Sequence, residues 1–119
     1  MFGNAVLFKA SIDDFILLEE EGIVINGKQV YFCFIQVCGD NLGVAEITGY
    51  TMCATANWPC RLCKVYLLDL QKRNTVDESL MRTVVDYETD VELNNVSVTG
   101  IRERSVFNRI PSYHQSERQ

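Results

Sequence analysis

Val30-Tyr31-Phe32-Cys33-Phe34-Ile35-Gln36-Val37-Cys38 is apolar at nearly every position and runs directly into Gly39-Asp40-Asn41-Leu42-Gly43. A run of β-formers without alternation reads as a strand buried on both faces, as in the middle of a mixed sheet covered by helices. Cys33 and Cys38 lie inside that run and read as small buried hydrophobes. In open α/β sheets, ligands and catalytic groups gather just past the carboxyl ends of the strands. Asp40 stands at that position, where a carboxylate is rigidly held and still reaches solvent. Asp is also a common turn and N-cap residue, so a cap and a site carboxylate are both open readings of Asp40.

Upstream, Ile23-Val24-Ile25 leads into Asn26-Gly27, the signal of a type I′ hairpin whose returning arm is the expected central strand. Before it, Ser11 reads as a helix N-cap with Asp13 and Asp14 in the first turn. Ile12, Phe15, Ile16 and Leu18 form an apolar stripe and Gly22 a stop. Glu19, Glu20 and Glu21 read as a solvated helix end.

Downstream, residues 42–56 read as a short helix ended by Asn57-Trp58-Pro59. Cys60-Arg61-Leu62-Cys63 follows. Two thiolates at this spacing hold one tetrahedral zinc from a single knuckle, and the ion needs two further ligands, for which Cys53 and His114 are the candidates. A carboxylate or a partner chain is the other source. Unliganded structural cysteines and a redox pair are the remaining readings of the motif. Residues 77–92 carry apolar side chains at helical spacing, with Asp86, Glu88, Asp90 and Glu92 as a solvated face. Asn94-Asn95 breaks that helix, and residues 96–101 read as a short strand. The stretch after His114 has no apolar residue.

The whole chain of 119 residues carries 16 acidic and 11 basic side chains, a net charge of −5. Its length suits one domain, assigned to residues 1–114, with 115–119 as a loose C-terminal tail. With 7 glycines and 2 prolines, collagen-like and Pro-rich disordered classes are excluded. The longest clean apolar run falls far short of the roughly 18 residues a membrane helix needs, so no membrane association is expected. Proteins that hold nucleic acid through phosphates alone usually show a basic balance, and a sequence pI near 4.8 argues against that class. Five cysteines without a secretory signal read as reduced thiols in an intracellular protein, nuclear or cytoplasmic.

The stretch 39–43, then Gly49-Tyr50, then Ala56-Asn57-Trp58-Pro59-Cys60-Arg61-Leu62-Cys63-Lys64 has a counterpart elsewhere. So do Gly100-Ile101-Arg102-Glu103-Arg104-Ser105-Val106-Phe107-Asn108 and Ile110-Pro111-Ser112-Tyr113-His114. Together they resemble transposase-like proteins of animal genomes related to the CACTA (En/Spm) DNA transposases. The resemblance spans about residues 2–114 and is most specific between 39 and 64. It implies an α/β fold that is part of a ribonuclease H-like core: a central strand, flanking helices and a CxxC knuckle.

In that family three carboxylates of DDE type hold two divalent ions, magnesium or manganese, which activate water or a 3′ hydroxyl for attack on DNA. Asp40 matches one of these acids. Cys60 and Cys63 match a structural, zinc-binding knuckle, and His114 falls where the family has a histidine. The first catalytic acid has no match here, and the family continues past the Tyr-His step into an acidic block. The resemblance therefore implies a transposon-derived fragment, catalytically incomplete on its own, with DNA the parent's partner and self-association expected through exposed sheet edges. The alternatives are a small zinc-stabilised module that binds a protein partner, and an active nuclease in which Asp86 or Asp90 joins Asp40.

Overall fold

Two helices open the protein, α1 (Asn4–Leu7) and α2 (Lys9–Glu20), in a computed structural model that describes residues 3–51 and 56–114. Cys53 and the 115–119 tail lie outside the described residues. α2 starts at Lys9, two residues before the expected cap at Ser11. Its N-cap, Phe8, gives no side-chain hydrogen bond but is anchored by its ring, 5.4 Å from that of Phe107. The stripe faces inward as its spacing requires: Ile12 is fully buried, and Phe15 and Ile16 pack on the same cluster. At the far end Glu20 and Glu21 are exposed, but Glu19 is half-buried, which corrects the solvated-end expectation. Its carboxylate accepts from the Phe34 amide at 2.8 Å, from the Ser112 amide at 3.2 Å and from the Ser112 hydroxyl. One helix-end acid thereby ties two distant loops to α2.

The hairpin forms as read. β1 (Ile23–Ile25) and β2 (Lys28–Val30) pair antiparallel, with Ile23 opposite Val30 and Ile25 opposite Lys28. Asn26 and Gly27 take φ of 51° and 76°, the two left-handed residues a type I′ turn demands. The central strand does not form: residues 31–38 carry no ladder bonds. Phe34 and Val37 turn onto the core while Tyr31 and Ile35 remain more than 60% exposed, and Cys33 and Cys38 are exposed rather than buried. A strand buried on both faces needs paired neighbours and a covering layer on each side. Among the described residues only the hairpin is available, and its own side chains are mostly exposed.

Beyond it α3 (Asn41–Ile47) is half the length read from the sequence. The expected 77–92 helix divides into a 3-10 turn at Glu78–Leu80 and α5 (Val84–Leu93). The interruption has a cause in pairing: Lys64 donates to the Leu80 carbonyl at 2.7 Å and Arg82 to the Leu62 carbonyl at 2.9 Å, so residues 80–82 run extended beside the cysteine turn. α5 then starts on a capping box between Thr83 and Asp86 and ends at Asn94 in the left-handed region, at the expected break. Residues 96–101 are not a strand. They form α6 (Val96–Thr99), and Ile101 alone bridges to Tyr50. A further one-turn helix, α4 (Leu67–Leu70), follows the cysteines.

Two clusters make the core. Ile12 packs with Val106, Phe107, Ile110 and Tyr113; Ala45 packs with Tyr50, Tyr87 and Ile101. The first is aromatic in character, with Phe34 stacked 5.8 Å from Phe107 and edge-on to Tyr113 at 5.2 Å. α3 joins them, because Ala45 belongs to the second while Ile47 packs on the first. The architecture is mixed helix with a two-stranded antiparallel sheet, broadly α/β. No helix among the described residues is long and apolar enough to cross a membrane.

Candidate functional site

Residues 49–51 and 100–103 are distant in sequence and adjacent in space. The Thr51 amide and hydroxyl both donate to the Gly100 carbonyl, at 2.9 and 3.1 Å, across 49 residues of chain. Arg102 returns a bond to the Gly49 carbonyl at 2.7 Å. Both glycines are required. Gly49 sits at φ +83° where a Cβ would lie 2.2 Å from the Glu103 carbonyl oxygen, and Gly100 at φ +75° where one would lie 2.7 Å from that of Trp58. Trp58 completes the join by donating from its indole to the Ser97 carbonyl at 3.1 Å.

The cysteine turn adjoins this corner, since Arg82 bonds both the Leu62 carbonyl in the turn and the Thr99 carbonyl. Cys60 and Cys63 are both half-buried, free and in side-chain contact. Burial first, and then the neighbouring Cys60, push the Cys63 thiol up to about 11, while the Val65 amide and the Arg82 charge oppose the rise. A divalent ion reverses this balance, since it binds the thiolate and the amide already points at that sulfur. The pair thus fits half of a tetrahedral zinc site. Among the described residues no third His, Cys, Asp or Glu joins it.

His114, expected as a further ligand, is placed elsewhere. Its Nε2 lies 3.3 Å from Glu88 and its ring stands edge-on to Tyr87 at 5.4 Å. Glu88 is in turn held by both terminal guanidinium nitrogens of Arg104, which lower its carboxyl below the usual range. The other candidate, Cys53, lies outside the described residues.

Asp40 caps α3. Its Oδ1 accepts from the Gly43 amide at 2.7 Å, and the carboxylate is exposed. The following residues, Asn41 and Leu42, line a cleft of ≈ 510 Å³ whose other walls include Tyr50, Trp58, Cys60 and Arg61. Asp40 is therefore a cap, next in sequence to two residues that line the cleft. Asp86 and Asp90 are engaged differently. Lys64 reaches Asp86 at 2.9 Å and Asp90 at 3.5 Å, and Arg82 reaches Asp90 at 2.9 Å. The Lys64 ammonium and then the Thr83 hydroxyl hold the Asp86 carboxyl down at about 2. These acids fasten α5 to the cysteine turn, and no group of three metal-binding side chains includes them with Asp40 among the described residues.

Sequence reasoning passed over Arg61, Arg82 and Tyr50. Arg61 read as a spacer inside the CxxC. Arg82 fell within the 77–92 stretch read as a helix and was given no role, although its side chain is 1% exposed, gives a 2.7 Å bond to the Thr99 carbonyl and lies 5.7 Å over the Tyr50 ring. A single cation embedded in apolar spacing is the signal that marked it.

No family model matches the chain, and neither a curated protein nor a solved structure does.

Proposed function

We propose that this chain carries part of a DDE-type DNA transposase core of ribonuclease H-like ancestry, incomplete for catalysis by itself. Asp40 is one metal-binding carboxylate, and Cys60 and Cys63 are half of a structural zinc knuckle. What supports the reading is the joining of the two stretches that carry the resemblance. Residues 39–64 and 100–114 share one corner through the Tyr50–Ile101 bridge and the bonds of Thr51 and Arg102. Asp40 carries a solvent-facing carboxylate and directly precedes Asn41 and Leu42, which line the cleft within that corner. In the complete parent, magnesium or manganese would supply activation of the attacking oxygen and charge neutralisation at the phosphate. Asp40 contributes a rigid oxygen ligand, since its cap to Gly43 fixes the carboxylate and engages one oxygen.

Manganese titration followed by amide NMR tests this reading. Paramagnetic broadening confined to residues around Asp40, and lost in Asp40→Asn, is the expected result. Broadening spread over Glu20, Glu21 and other surface acids, unchanged in that variant, would reject it. DNA cleavage by the isolated chain with either metal is expected to be absent.

A second reading, a zinc-stabilised protein-binding module, draws on the contact between the two thiols and on the exposed apolar side chains of the hairpin, Val24 being 67% exposed. Stoichiometric zinc, with loss of circular dichroism on chelation, would favour this reading. A zinc-free chain of unchanged fold would remove it.

A further inference from the structure

Three cations meet at the cysteine corner, and their pairing differs. Lys64 has Asp86 and Asp90, and Arg82 has Asp90. Arg61 has no carboxylate within ion-pair distance among the described residues. Lys28, Lys72 and Arg102 share that lack, but all three are exposed, where water solvates the charge. Arg61 is drawn into the protein, and its Nη1 is buried without a hydrogen-bond partner among the described residues. Its charge reaches the Tyr113 phenol, which burial keeps protonated and which supplies no counter-charge. A half-buried guanidinium left this way is costly unless an anion arrives from outside.

Arg61 also forms part of the wall of the ≈ 510 Å³ cleft. That volume lies in the range of small-molecule sites. Most of the remaining wall is apolar, from Leu42, Trp58, Pro59, Leu62 and Leu70, with Asn41 and Thr51 as polar points. A guanidinium carried by a residue that lines an apolar cleft suits one ligand chemistry: an apolar body with a single oxyanion head.

We propose that this cleft binds a small amphipathic organic anion, its carboxylate or phosphate head received by Arg61 and its apolar body lying against Trp58 and Leu42. The inference rests on the cleft and on Arg61, and stands apart from the transposase reading and from metal binding at Asp40.

Trp58 is the single tryptophan of the chain and lines the cleft, so its fluorescence responds to a ligand there. The full chain is titrated with phenyl phosphate, phenylacetate, inorganic phosphate and the neutral benzyl alcohol. Saturable changes with the two aromatic anions, at concentrations at least about tenfold below those needed for benzyl alcohol, are the expected result. Inorganic phosphate is expected to bind more weakly than phenyl phosphate, because it lacks the body. The relative strength of phenyl phosphate and phenylacetate identifies the preferred head. Arg61→Gln should weaken both anions about tenfold or more and leave benzyl alcohol unchanged, with Arg61→Lys between. Benzyl alcohol binding as tightly as the anions would overturn the proposal, and that comparison needs no variant. So would the absence of saturable change with either anion up to about 10 mM.

Discussion

Arg82 donates through Nη1 to Asp90 Oδ2 at 2.9 Å, with side chains 1% and 12% exposed, and this pair joins α5 to the cysteine turn. Arg82 sits between the thiols and Tyr50: its charge acts on Cys63, and its guanidinium lies over the Tyr50 ring. A buried pair of this kind contributes little net stability against an apolar substitute, but breaking it strands a charge.

Asp90→Ala is therefore expected to cost about 3–5 kcal/mol in denaturant unfolding. Asp86→Ala, which removes a partly exposed partner of Lys64 and a capping contact, should cost about 1–2 kcal/mol. Equal losses in the two variants would show that Arg82 does not depend on Asp90.

Gly49 and Gly27 separate two effects of a Cβ. Both have positive φ, +83° and +76°, but a Cβ at Gly27 meets nothing within 4 Å whereas one at Gly49 lies 2.2 Å from a carbonyl oxygen. Gly27→Ala should cost about 1 kcal/mol from backbone strain alone. Gly49→Ala should exceed it by about 1 kcal/mol or more, as the join to residues 100–103 is forced apart. Thermal melts of the two variants make the comparison, and equal shifts would deny the close approach.

Acid should weaken the fold through Asp86 in a defined window. Its folded-state value of about 2 lies below the unfolded value near 3.8, so the unfolded chain takes up the proton first. The associated stability is fully present above about pH 4 and is lost as pH falls through about 2. Glu19, Glu88, Asp13 and Asp77 are lowered too, which adds to the same acid limb. Asp86→Asn should flatten the dependence of the unfolding midpoint on pH between about 4 and 2. An unchanged slope would mean that the Lys64 and Thr83 contacts do not persist in solution.

Thiol reactivity should rank the cysteines. With its thiol near 11, Cys63 is expected to alkylate more slowly at pH 8 than the exposed Cys33 and Cys38. Zinc, if bound by the pair, must displace the thiol protons, so uptake should rise steeply with pH. Mass-resolved labelling that modifies Cys63 as fast as Cys33 would contradict the burial found here.

Legibility in the sequence followed how locally each feature is encoded. Asn26-Gly27 fixes its turn by backbone preference alone, and the Ile12-Phe15-Ile16 spacing fixes the inward face of α2, so both were readable. The Cys60–Cys63 contact was legible for the same reason, because a spacing of three residues holds the two thiols on one turn. Residues 31–38 misled. Their apolar run states that burial is favourable but not which partner provides it, and with no pairing strand among the described residues only Phe34 and Val37 reach the core.

The sequence by itself determined the hairpin, the stripe of α2 and the cysteine pair, and offered the cap at Asp40 as one of two readings, since each depends on neighbours within a few residues. Tertiary structure alone decided the rest. It broke the 77–92 helix so that Arg82 could turn inward, sent His114 to Glu88 instead of the cysteines, engaged Glu19 with Phe34 and Ser112, and left Arg61 at the cleft without a carboxylate among the described residues. Each of those outcomes depends on which distant group arrives beside a charge or a donor. That is fixed by packing across tens of residues, which no local pattern records.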